Sequence, residues 1–259
     1  MRLSFAKRHF YLLCALPDLK PFGNRPPISK QELLAVVTES GGPTDVVRVL
    51  LMSDDLLQRE AVLAGEVEPG HADLAVLSLQ KANDEQSLPV FLESAKEDEP
   101  EDSRILIAAD RIWRRYFHHT AKIARRTHTT FLAAWVGFEV GLRNATAKAR
   151  AEALELDPGH YMVAPELADS ENRFDNILAD WISASNPLDG LEVLDRARWE
   201  WLTDQERWYS FSDDEVAAYT TKLMLLHRWH RIRGRSALLR IRRRVGHLLV
   251  HLTARAVGQ

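Results

Sequence analysis

A single cysteine, Cys14, stands in a chain of 259 residues. That excludes an intramolecular disulfide framework and any zinc site built on a cysteine pair, and it suits a reducing cytoplasm. The phosphate-cradling loop G-x-x-x-x-G-K-S/T is missing, as are the dinucleotide turn G-x-G-x-x-G and the nucleophile elbow G-x-S-x-G. Nucleotide cradling and serine-hydrolase chemistry therefore lack their usual geometry. Long apolar runs are scarce too. In FLAAWVGFEVGLRNATAKARAEAL, residues 131–154, the charge-free stretch ends at Phe138, and Glu139 and Arg143 interrupt the remainder; a spanning helix needs ~20 apolar residues. The most pronounced absence is of acid: from Val216 to Gln259 there is no Asp or Glu.

What is present is an ordinary globular composition, 46% hydrophobic and 27% charged with a formal net charge of −3, enough chain to bury roughly 70–75% of its unfolded surface. No global field dictates a partner at that net charge, so any preference is local. The basic-then-apolar start, MRLSFAKRHFYLLCALPDL, has an apolar core at the lower limit for an export signal and lacks a small-x-small site, so a buried first element is expected in preference to a signal.

Period-two alternation is hard to find, and helical stripes recur. Phe131, Trp135, Phe138, Leu142, Ala145 and Ala149 follow steps of four and three, the mark of an amphipathic helix. Glu139 and Arg143 flank it as an expected i,i+4 pair. Gly137 and Gly141 lie on the other flank, where a second helix can approach closely. Ser29 with Glu32, and Ser212 with Glu215, have capping-box spacing, and Gly234 is placed as a C-terminal stop. Asn186 precedes Pro187 and is expected to end a helix. The expectation is an all-α, multi-helix bundle with a smaller N-terminal part, residues 1–97, and a larger bundle, residues 98–259, divided at the acidic segment SAKEDEPEDS.

Chemical constellations are sparse. Of ten histidines, His118 and His119 with His128, and His247 with His251, have spacings that could hold a metal, but no Glu stands between the last two; solvated or capping roles fit better, and no metal or cofactor is expected. Asp180, Asp189 and Asp195 read as caps or dipole partners at helix ends. The strongest signal is the basic C-terminal stretch, where Arg240, Arg244, His247, His251 and Arg255 line up opposite a seam of Leu238, Ile241, Val245, Leu248 and Leu252. Such a stripe either faces solvent, balanced in space by the acids between Ser53 and Asp102, or docks an acidic partner, anionic lipid or nucleic acid. Missing stacking aromatics and a missing recognition-helix pattern disfavour nucleic acid.

The segments YLLCALPDLKPFG, FEVGLRNATAKARAEAL, DNILADWISASNPLDGLEVLDRARWEWL and VAAYTTKLMLLHRW resemble an uncharacterised bacterial family encoded alongside V/A-type rotary ATPases. That family in turn resembles the helical C-type subunit of these machines, a funnel that seats the central stalk on the membrane rotor ring. The resemblance implies a non-enzymatic coupling component serving proton or other ion transport, cytoplasmic or peripheral at the inner membrane. Its partners would be the other stalk subunits and the rotor ring. Arg143, Asn144, Asn186, Pro187 and Leu188 carry the resemblance and are expected to be structural. A helical adaptor or nucleic-acid binder using the basic helix, and an enzyme with an unfamiliar pocket, remain open.

Overall fold

A computed structural model describes residues 9–93, 105–205 and 210–256, with side chains up to position 234. Among the described residues the protein is all-α: helices α1 (Phe10–Ala15), α2 (Lys30–Glu39), α3 (Thr44–Leu63), α4 (Leu79–Ala82), α5 (Ala108–Thr127), α6 (Thr130–Ala153), α7 (Asp175–Ile182), α8 (Pro187–Asp204) and α9 (Asp213–Ala256). The acidic segment read as a linker lies outside the described residues.

Capping residues explain where several helices begin. Ser29 accepts the Glu32 N–H, while the Glu32 carboxylate takes the Ser29 N–H, so the expected capping box opens α2. The same bonds hold the Glu32 carboxyl below its usual range. At the start of α9 the Glu215 carboxylate instead reaches the Phe211 N–H at 2.6 Å. Asn186 does not end a helix. It is the N-cap of α8, its side-chain oxygen accepting the N–H groups of Leu188 and Asp189 at 3.0 Å each, with Pro187 in the first turn where a missing N–H costs nothing.

Helix α6 is the central buried helix. Phe131, Trp135, Phe138 and Leu142 are buried, and so are Leu132, Val136 and Val140, so the helix is covered nearly all round down to Leu142. Its aromatic side gathers about Trp201 of α8, with ring centroids of Phe131, Trp135 and Phe138 at 6.0, 5.5 and 4.9 Å. Such pairs add ~0.5–1.5 kcal/mol each beyond burial. Helix α5 packs beside it through a two-residue connection in which His128 takes the left-handed conformation, φ 56°, closing α5. Helix α3 lies along α9, and one apolar cluster joins Val46 and Leu50 of α3 to Trp113 and Phe117 of α5, Leu132 of α6 and Leu225 of α9. The core thus contains residues from both sides of the division expected at 97/98.

The glycine flank is closely approached, though by a connecting segment. A methyl group at Gly137 would lie 3.0 Å from the Asp169 Cβ and 3.3 Å from its nitrogen, and the Asp169 N–H donates to the Gly137 carbonyl at 3.2 Å. At Gly141 it would meet the edge of the Phe174 ring at 2.8 Å. A ring edge can swing aside, but hydrogen-bonded backbone cannot. Replacing Gly137 by Leu should therefore lower stability by about 1–3 kcal/mol, measured by urea unfolding. An unchanged midpoint would show that flank to be open.

Candidate functional site

Helix α9 is gripped by two ionic clusters. The first begins at Lys30, in the first turn of α2, whose side chain is fully buried. Its ammonium lies 2.5 Å from an Asp54 oxygen of α3 and 3.4 Å from the Asp73 carboxylate, and also donates to the Asp73 backbone carbonyl. From α9, Arg231 closes the cluster: one nitrogen reaches the other Asp54 oxygen at 2.5 Å and another reaches Asp73 at 2.8 Å. Next to it, Asp55 accepts the N–H groups of Ala75, Val76 and Leu77 at 2.6–3.1 Å, fixing the segment that presents Asp73. Four pieces of chain, α2, α3, residues 73–77 and α9, are thereby joined.

Burial pushes the Asp54 carboxyl up, but Arg231 and Lys30 outweigh it and hold the group below the usual range. Asp73 is likewise depressed, with burial outweighed by Lys30 and Arg231. Asp55 is raised by burial. His227, which bonds the Ile28 carbonyl at 2.7 Å, is lowered by burial and stays neutral more readily than a free imidazole.

The second cluster ties α9 to α8 and α6. Arg198 grips Glu139 with two parallel bonds, 2.6 and 3.1 Å, and reaches Asp195 at 3.1 Å. Arg228 of α9 approaches the same Asp195 oxygen at 3.3 Å. The acids raise the Arg198 guanidinium further despite its burial. The other Asp195 oxygen receives no hydrogen bond, although the residue is wholly buried.

These contacts revise several expectations. Glu139 and Arg143 do not pair with each other: Glu139 goes to Arg198, and Arg143 goes to Asp110 of α5 at 2.7 Å while lying over the Trp113 ring. An exposed i,i+4 pair is worth only ~0.3–0.5 kcal/mol, less than a forked bond shielded from water. Asp195 is no cap but sits in the body of α8, and Asp189 does serve the helix start, accepting from Asn186 at 2.7 Å. Asn144 is structural, exchanging two hydrogen bonds with the Val163 backbone at 2.8 and 2.9 Å. Gly234 does not stop α9, which runs on to Ala256. One interior glycine costs ~1 kcal/mol against alanine, and the helix formers beyond it outweigh that.

The histidines thought able to share a metal have separate engagements. His118 faces Glu166 at 2.8 Å and His119 stacks on Phe91 at 3.7 Å. Among the described residues no group of three metal-ligating side chains assembles, and no helix is long and apolar enough to cross a membrane. The side chains of Arg240, Arg244, His247, His251 and Arg255 lie outside the described residues, although their backbone belongs to α9.

A family model described as a protein of unknown function, DUF2764, matches residues 73–243, more than half of the chain. The chain belongs to the DUF2764 family. No curated protein and no solved structure matches it. The DUF2764 match starts at Asp73 and takes in the whole second cluster and Arg231, leaving Lys30 and Asp54 on the N-terminal side. Neither ionic cluster was found by sequence reasoning: Lys30, Asp54 and Asp73 are ordinary surface residue types, and the one signal was the cluster of acids in α3 facing the unopposed bases of α9.

The first cluster makes stability depend on pH through its shifted carboxyls. A depressed carboxyl contributes fully above its unfolded value of ~3.9, and the contribution is lost as pH falls through the lower folded value. Asp55, shifted upward, offsets part of that loss. The urea midpoint should fall between about pH 5 and about pH 3, and by less in Asp73→Asn than in wild type. Equal falls would remove Asp73 from the account.

Proposed function

We propose that this DUF2764 protein is a non-catalytic coupling subunit of a V/A-type rotary ATPase, linking the central stalk to the membrane rotor ring. The observation that carries the reading is the anchoring of α9. Arg228 and Arg231 fix one part of the helix to α8, α3 and the 73–77 segment. The same helix continues without a break through Arg240, Arg244 and Arg255. Its 44 residues span ~66 Å at 1.5 Å per residue. A coupler needs such an element: force applied to the C-terminal end of the helix is delivered to a core that holds its middle by ion pairs on two sides. The sequence resemblance supplies the kind of machine, and the peripheral position at the inner membrane belongs to the same proposal.

Expressed with a rotary ATPase, the protein should co-purify with stalk subunits or the rotor ring, and alone it should hydrolyse no ATP. Replacing Arg240, Arg244 and Arg255 together by Glu should leave the helical circular dichroism intact, slow association with the stalk and remove its salt sensitivity, because exposed charges steer encounters within ~8 Å. Robust ATP hydrolysis by the isolated chain, or association unchanged by the triple replacement, would overturn the reading. Loss of binding to duplex DNA or anionic vesicles in place of stalk subunits would favour an adaptor of another kind.

A further inference from the structure

A cavity of about 520 Å³ opens between α3, α5, α6, α8 and α9. Its volume falls in the range of small-molecule sites, ~300–1,000 Å³. Trp113, Tyr116 and Trp135 form its inner wall, and all three are buried. Burial pushes the Tyr116 hydroxyl up to about 12, and it is occupied with the Val49 carbonyl, so it serves as wall and not as acid. The rim is unusual for a surface: Ile107, Leu154 and Leu156 are 46%, 68% and 45% exposed, three large apolar side chains at one opening.

The charges on the wall nearly cancel. Arg198 and Arg228 are answered by Glu139 and Asp195, Arg143 by Asp110, and Asp54 by Lys30 and Arg231. Arg150 is left over. It lies over the Trp181 ring at 5.0 Å and has no carboxylate partner among the described residues. Arg143 and Arg150, seven residues apart, share one face of α6, ~10 Å apart along the helix. Arg143 spends one nitrogen on Asp110 and presents the guanidinium against Trp113. An apolar, aromatic-walled chamber with one uncompensated positive charge at its opening is complementary to one type of ligand.

We propose that this cavity binds a small aromatic monoanion, its carboxylate or sulfonate held by Arg150 and its ring system reaching inward past Arg143 to Trp113 and Trp135. The inference rests on the cavity and its charges and not on the coupling role.

The test uses 8-anilinonaphthalene-1-sulfonate, a fluorescent aromatic monoanion, beside N-phenyl-1-naphthylamine, the same ring system without the sulfonate. Wild-type protein should bind the anion saturably at one site. Arg150→Glu should weaken that binding at least tenfold and leave the uncharged analogue within about twofold, because only the head group has lost its partner. Ala147→Trp, which places an indole in the cavity from its α6 wall, should weaken both ligands. Circular dichroism and melting midpoints establish that each variant is folded. The proposal is overturned by absence of saturable binding to wild type, by equal anion affinity in Arg150→Glu, or by unchanged binding of both ligands to folded Ala147→Trp. Should Ala147→Trp fail to fold, the contrast between the two ligands in Arg150→Glu still decides.

Discussion

Lys30 has no access to water, and an ammonium so placed must be met by carboxylates and carbonyls or be expelled from the core. Asp54, Asp73 and the Asp73 carbonyl meet it, and this requirement organises the fold around them. With Asp55 also 3.8 Å from the ammonium, three acids against one lysine leave a surplus of negative charge, part of which Arg231 of α9 neutralises. Removing one member of such a buried group typically costs ~3–5 kcal/mol because the others are left uncompensated. The cluster's net contribution to stability is smaller than that, since all its charges were taken out of water. Its effect is on specificity of arrangement: α2, α3, the 73–77 segment and α9 can satisfy these groups together in few ways.

The second cluster acts on the same helix from another direction. Arg228 is three residues before Arg231, so the two guanidiniums leave neighbouring positions on one side of α9, yet they go to different elements, Asp195 of α8 and Asp54 of α3. Arg198 extends the line to Glu139 in the middle of α6. The central buried helix and the long terminal helix are therefore connected by alternating charges as well as by the shared apolar cluster of Leu132, Leu194 and Leu225. A helix held by packing alone can slide by small amounts at little cost. A helix that must also keep two arginines on buried carboxylates cannot.

Sequence patterns revealed the helices more readily than their partners. The α6 stripe is legible because burying Phe131, Trp135, Phe138 and Leu142 requires them on one side, and the Ser29–Glu32 box is legible because capping is local. Partner choice is not local. Glu139 and Arg143 have ideal spacing for each other, and tertiary neighbours at Arg198 and Asp110 outcompete that spacing. Asn186-Pro187 is ambiguous for a related reason: proline discourages helix in the residue before it, which is equally true at a helix end and at an N-cap. The glycines of α6 announced a close approach, but not that it would come from the connecting backbone at Asp169 and the Phe174 ring.

The absence of acid after Glu215 can be explained in part by the first half of α9. Arg228 and Arg231 answer carboxylates that come from α8, α3 and the 73–77 segment. An acid placed among them on α9 itself would compete for the same guanidiniums and would bring another charge out of water. That argument ends near Gly234, where the described side chains end, and it does not extend to Arg240, Arg242, Arg243, Arg244 and Arg255. Like charges at three- and four-residue spacing repel along a helix by a few tenths of a kcal/mol each, so an isolated helix gains nothing from them. The buried carboxylates therefore account for the missing acid only along the part of α9 that carries Arg228 and Arg231.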